Sequence, residues 1–307
     1  MRQFLCFWVL VVANLSSTAG FAGTPEYLSP AAMAATDNHL FIACAEGNWV
    51  LCLDLSGGNI TSIAVPLPPS GLAFSRDYSE LFVTCAAPES KICIIDTRRL
   101  KIVGTTPAGH TATAPVLSAD GRTLYVCNQF DNDVSVIELT GQDETSEKNT
   151  PHVVPYQTNV RSRAGSETGA PGKEVCRIAV RREPVAADIT KDGKFLLVAN
   201  QLPTGRADVE NAAAVVSVIN LVTRRVVKEL PLPNGSGSLK DLRISPDGKY
   251  AAVTHIVSSF SRATTKVQFG WMNANALTII DVASMEIAFS FLLDEPNHGA
   301  ANPWGVA

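Results

Sequence analysis

The sequence predicts an all-β fold, a β-propeller of four-stranded blades, on three observations: a repeated turn–strand–turn–strand phrase, a repeat period of blade length, and no sustained helical periodicity. The phrase is clearest over residues 118–137. There Asp120-Gly121 is a hairpin signal and Thr123 to Cys127 alternates like a half-buried strand; Asp131-Asn132-Asp133 then turns the chain back and Val134 to Ile137 alternates again. The turn aspartates Asp77, Asp120, Asp192 and Asp247 lie 43, 72 and 55 residues apart, and the two longer gaps hold insertions. The underlying period is about 40–45 residues, the length of a propeller blade.

Taken in order, the first unit follows Asp37-Asn38 and reads as strands Leu40–Cys44, Val50–Asp54 and Ile60–Val65. The second follows Ser75-Arg76-Asp77 with Leu81–Cys85, Ile92–Asp96 and Leu100–Thr105. The third closes with Val175–Val180 after a link at 140–174, whose Gly, Ser, Thr, Glu and Pro content predicts a flexible surface insertion. The fourth holds Leu196–Asn200 and Arg225–Leu232, the fifth Ala251–His255, Leu277–Asp281 and Glu286–Phe291. The reading is five blades and the start of a sixth, with seven expected in a full ring.

Before the repeats, residues 1–22 read as a secretory signal: Arg2, the apolar run Phe4 to Leu15, and small residues at Gly20-Phe21-Ala22. Twelve apolar residues are too few to span a bilayer core of about 30 Å, so no stable membrane insertion is expected after cleavage of the signal. Residues 23–307 would then be periplasmic or secreted, and the six cysteines that remain would meet an oxidising compartment. Cys44/Cys52 and Cys85/Cys93 each flank a hairpin with the same separation of eight, which makes them candidate disulfides. Cys127 matches Cys44 and Cys85 in the repeat, leaving Cys176 as its remaining candidate partner; six buried thiols are the alternative.

A net charge of -4 and a pI near 5.8 argue against nucleic acid as a partner, because phosphate binding needs a concentrated basic face. In a four-stranded blade, the link into each inner strand and the turn between second and third strands share one end of the channel. That end collects the candidate ligand-binding residues His110, Asn128, Arg182, Glu183, Asn200, Gln201, His255, Trp271, His298, Asn302 and Trp304, together with insertions at Leu202–Ala213 and Ile256–Ala276. His110, His255 and His298 are candidate metal ligands at that mouth, although no two stand at local ligand spacing. Carboxylates occur there at Glu183, Asp208, Glu210, Asp241, Asp294 and Glu295, but no catalytic motif accompanies them.

The phrases Leu-Phe-Val-Thr-Cys (81–85), Leu-Tyr-Val-Cys-Asn (124–128) and Leu-Leu-Val-Ala-Asn (196–200), each before a Val-x-Val-Ile-like strand, resemble the YVTN-type β-propeller repeat over residues 26–307. Gly270 to Leu277 and Gly299 to Gly305 are similar to an exported bacterial subgroup sometimes joined to c-type cytochrome domains. The resemblance implies a propeller fold and, on one reading, association with haem. The sequence itself has no Cys-x-x-Cys-His for haem attachment. The leading expectation is therefore a binding or scaffold module, not an enzyme, whose channel mouth takes a small ligand, a glycan or a protein. The alternative is an electron-transfer or oxidoreductase module whose c-type haem domain lies downstream of residue 307.

Overall fold

The computed structural model describes residues 28–139, 172–206, 208–259, 272–294 and 302–306. They form a β-propeller of five antiparallel four-stranded sheets, each with its strands in sequence order. Blade 1 is β1 (Pro30–Ala35), β2 (His39–Cys44), β3 (Trp49–Asp54) and β4 (Ile60–Ala64). Blade 2 is β5 (Pro69–Phe74), β6 (Glu80–Cys85), β7 (Lys91–Asp96) and β8 (Lys101–Pro107), and blade 3 is β9 (Ala112–Leu117), β10 (Thr123–Asn128), β11 (Asp133–Leu139) and β12 (Gly172–Ala179). Blade 4 is β13 (Pro184–Ile189), β14 (Phe195–Asn200), β15 (Val215–Asn220) and β16 (Arg225–Pro231), and blade 5 is β17 (Ser236–Ile244), β18 (Tyr250–Ser258), β19 (Asn273–Asp281) and β20 (Glu286–Leu292). The expected leader at 1–22 lies outside the described residues, as does the link at 140–174 except Gly172–Glu174, which open β12.

The central strands are buried on both faces, not half-buried as alternation predicts. Successive side chains point to opposite sides of a strand, and in a propeller both sides meet a neighbouring blade. Leu81 and Val83 pack with Phe41, Val50 and Ile63 of blade 1, while Phe82 and Ile92 pack with Leu124, Val126 and Ile137 of blade 3. Equivalent clusters join blades 3 and 4 through Val136 and Val198, and blades 4 and 5 through Val216 and Leu242. Residues of the run are therefore apolar or place polar side chains against partners inside the blade, as Thr84 does with Ser70.

In blades 2 to 5 the turn between first and second strands is held by its aspartate, whereas in blade 1 Thr36 Oγ1 accepts the His39 N–H at 3.0 Å without one. Ser75, Ser118, Thr190 and Ser245 donate their hydroxyls to Asp77, Asp120, Asp192 and Asp247, and each hydroxyl oxygen accepts the N–H five residues on, at 2.9–3.0 Å. The hydroxyl bond holds Asp120, Asp192 and Asp247 below the usual carboxylate range.

The inner strands pack in the order β1, β5, β9, β13, β17, and no packing of similar extent joins β17 to β1. Asp188 stitches two of them: its carboxylate accepts the N–H of Ile189 and, across the blade boundary, that of Ile244, each at 2.9 Å. Asp241 repeats the device, accepting Leu242 N–H at 2.9 Å and Val306 N–H at 3.1 Å. Residues 302–306 thus run where the next inner strand would lie, but they form no strand, so the expected opening strand of a sixth blade is not made there. Among the described residues, no strand packs on the apolar face at that side of blade 5. Phe291 stands opposite Leu277 and is 43% exposed, whereas Leu230, which stands opposite Val216 at the same place in blade 4, is 4% exposed.

Candidate functional site

The mouth end of the channel is defined by four backbone bonds. Ala45, Ala86, Gln129 and Gln201, each just past a second strand, donate their N–H to Ser29, Pro68, Thr111 and Glu183, each just before an inner strand, at 2.7–3.1 Å. Ser29, Thr111 and Glu183 share a left-handed backbone, with φ of 44°, 55° and 59°. Because the conformation recurs from blade to blade, it belongs to the fold and is not strain peculiar to Glu183.

At the junction of blades 3 and 4 the side chains converge. Gln129 Nε2 donates to Glu183 Oε2 at 3.3 Å and to Gln201 Oε1 at 3.1 Å, tying together a turn of blade 3, the entry to blade 4 and a turn of blade 4. Asn132 Oδ1 accepts the Glu183 N–H at 2.8 Å, and Arg182 Nε lies 3.9 Å from Glu183 Oε1. The same turn carries Phe130, 53% exposed, whose ring meets the His110 ring edge-to-face at 5.1 Å. Asp131 accepts the His110 N–H at 2.9 Å and pairs with Arg177 at 2.9 Å.

Of the expected site residues, His110, Arg182, Glu183 and Gln201 are brought together here. Asn302 and Trp304 are exposed near β17, Trp304 with Lys240 Nζ 5.1 Å from its ring centre; Trp271 and His298 lie outside the described residues. Asn128 and Asn200 end their strands on this side and His255 holds the equivalent place in β18, but all three are fully buried inside the blades, so they do not line the mouth. Gln129, Phe130 and Asn132 were not anticipated. The signal for Gln129 was the dipeptide Asn128-Gln129, repeated at Asn200-Gln201.

Register shows what the buried residues do. Cys44, Cys85, Asn128, Asn200 and His255 occupy one position in five blades, the last of the six residues shared by every second strand. On the same sheet face, two residues along the third strand, stand Leu51, Cys93, Ser135, Ser217 and Thr278. The pairs meet: Asn128 Nδ2 donates to Ser135 Oγ at 2.7 Å, Asn200 Nδ2 to Ser217 Oγ at 3.0 Å, His255 Nε2 bonds Thr278 Oγ1 at 2.8 Å, and the Cys85 and Cys93 sulfurs are 3.9 Å apart. His255 Nδ1 is buried with no hydrogen-bond partner, and burial holds the imidazole below the ordinary histidine range.

The disulfide expectations are corrected by this register. All six cysteines are free thiols. Cys44 faces Trp49 and Cys52 faces Phe41, which puts the two cysteines on opposite faces of the sheet. The turn between β2 and β3 has four residues and that between β6 and β7 has five, and one extra residue flips which side chains share a face. Cys85 and Cys93 do share a face, as contacting thiols. Cys127 is equivalent to Ala43 and Thr84, one position short of Cys44 and Cys85, and β11 separates it from Cys176, at about 10 Å for two strand spacings. Burial pushes Cys44 up to about 11 and Cys127 up to about 12, away from reactive thiolates. Among the described residues no group of three or more His, Cys, Asp or Glu side chains is placed to hold a metal ion, and His110 and His255 sit in separate surroundings.

At the opposite end of the channel, a groove of about 610 Å³ lies between the turns of blades 4 and 5, lined by Lys191, Phe195, Gly248, Tyr250, Val282 and Met285 among others. Among the described residues no helix is long and apolar enough to cross a membrane.

No family model matches the chain. Over 124 residues it is 31% identical to hydrazine synthase subunit beta of Kuenenia stuttgartiensis, covering 40% of this chain and 30% of that subunit. The match therefore spans less than a third of that relative's length. In three dimensions the chain is similar to Kuenenia stuttgartiensis hydrazine synthase, with TM-score 0.72, 24% identity, and 94% of this chain against 73% of that one. It is also similar to the dihydro-heme d1 dehydrogenase NirN in complex with DHE, with TM-score 0.54, 15% identity, and 83% against 44% coverage. A functionally unknown protein from Desulfotomaculum acetoxidans gives TM-score 0.58 at 12% identity, covering 88% of this chain and 71% of that one. At these identities the structural likeness establishes the fold, and the chain is a β-propeller module.

Proposed function

We propose that the chain is an exported binding module whose mouth face, at the junction of blades 3 and 4, takes its ligand. One observation carries the reading: Gln129, Glu183 and Gln201, from two blades and far apart in sequence, meet as a polar cluster, and the residue after Gln129, Phe130, is exposed. The carboxylates of Asp192 and Asp247, at the opposite groove, are already committed to their turns, while Lys191 and Tyr250 there supply control positions for binding tests. The test is thermal-shift screening of one small-molecule library against the protein and a Gln129→Ala/Gln201→Ala variant. Compounds that stabilise the parent are expected to lose about tenfold in affinity on the variant, the equivalent of roughly 1.4 kcal/mol or one to two hydrogen bonds. Equal shifts on both proteins for every active compound would remove the mouth face from consideration.

The alternative reading, an electron-transfer or oxidoreductase module, is supported by the names of two similar proteins, a hydrazine synthase and a dihydro-heme d1 dehydrogenase. On that reading a c-type haem would sit in another domain, because this sequence contains no Cys-x-x-Cys-His.

A further inference from the structure

We infer that the ligand of the mouth face is a neutral saccharide, an inference that rests on the reading of that face as the binding site. The hydrogen-bonding capacity of the cluster is only partly used. Half-buried Glu183, whose carboxylate has about four acceptor sites, receives one bond from Gln129 at 3.3 Å and a loose ion pair with Arg182 at 3.9 Å. Gln201 accepts through Oε1, which leaves its Nε2 group with two donors to give. An acceptor and a donor side by side suit groups that both give and take a hydrogen bond, and adjacent sugar hydroxyls do so without adding charge. A purely anionic ligand would meet Glu183, and a purely cationic one would meet Arg182.

Phe130 supplies the apolar half. Its ring is 53% exposed and meets the His110 ring edge-to-face; the His110 backbone N–H is held by Asp131 and its Nδ1 by Thr111 Oγ1 at 2.9 Å. A pyranose ring has an apolar C–H face and a rim of hydroxyls. Phe130, the residue next to Gln129, offers an apolar ring for the first, and the planar hydrogen-bonding groups of the cluster suit the second.

The experiment is a nuclear magnetic resonance titration of the isotopically labelled protein with cellotetraose, maltotetraose and chitotetraose as neutral probes, and digalacturonate as an acidic one. A neutral probe is expected to shift the side-chain amide signals of Gln129 and Gln201, with Phe130→Ala and Gln201→Ala each weakening binding about tenfold while the remaining spectrum stays in place. Shifts of those amides by digalacturonate alone would overturn the neutral-saccharide assignment and leave the mouth-face reading standing. Shifts confined to the opposite groove, at Lys191 and Tyr250, would overturn both. No shift at Gln129 and Gln201 with any neutral probe overturns the inference.

Discussion

Replacing Asn128 by alanine is expected to destabilise the protein by about 3 kcal/mol, the sum of orphaning buried groups at roughly 1–3 kcal/mol each. Asn128 is fully buried, accepts the Gly109 N–H at 3.0 Å, and donates to Asp133 at 2.6 Å and Ser135 at 2.7 Å. Solvent has little access to replace those partners, and Gly109 packs so closely on Asn128 that a Cβ there would lie 2.5 Å from Asn128 Cγ. Burial pushes the Asp133 carboxyl up, and the Asn128 bond is the largest of the influences that oppose it, so the variant should also take up a proton at Asp133 at higher pH. Chemical denaturation of Asn128→Ala beside Ser135→Ala checks this. The serine change, which leaves one donor of Asn128 short, should cost about 1 kcal/mol. If both variants fell within 0.5 kcal/mol of the parent, a range of roughly the surface-substitution size, the buried pair would have no structural role.

The pH dependence of stability should carry the imprint of His255. An unfolded histidine titrates near 6.5, and burial lowers the folded value, so the native state binds fewer protons. The stability due to the neutral imidazole is complete above about pH 6.5 and falls as pH drops from there towards the folded pKa, with a slope of up to about 1.4 kcal/mol per pH unit. Thr278 and Ser290, which continue the chain of hydrogen bonds from Nε2, carry no charge to offset a proton. Unfolding midpoints at pH 7.5 and 5.5 should therefore separate more in the parent than in His255→Asn, which copies the residue found at this position in blades 3 and 4. Superimposable profiles would mean that His255 is charged in the folded protein.

The blades were legible because two local signals coincide in blades 2 to 5, a hydroxyl–aspartate turn and a run of apolar residues five or six long. What the runs could not show is that both faces are covered, since a strand buried on one side and a strand buried on two differ only in what replaces the alternate polar residues. Tyr125-Val126-Cys127-Asn128 misled for a related reason: the cysteine was matched to Cys85, whereas the shared position is held by Asn128, and side-chain identity was a poorer guide than place in the strand. Two cysteine pairs with equal spacing proved unequal because hairpin parity depends on turn length, which spacing alone does not reveal. At the mouth, Arg182, Glu183 and Gln201 were found from their unusual position before and after strands. Gln129 was not, because its partners belong to another blade and only closure of the sheets around an axis brings them within 3.3 Å.

The face of blade 5 on which no described strand packs gives the molecule a direction. Blades 2, 3 and 4 are each clamped between two neighbours, whereas β20 shows Phe289, Phe291 and Leu292 to solvent. A stack of units held by nearest-neighbour contacts loses its ends before its middle. Amide exchange should accordingly run as a gradient around the ring, fastest along β20 and slowest in β10 and β14. The mouth cluster between blades 3 and 4 then sits in the slowly exchanging interior of the five described blades.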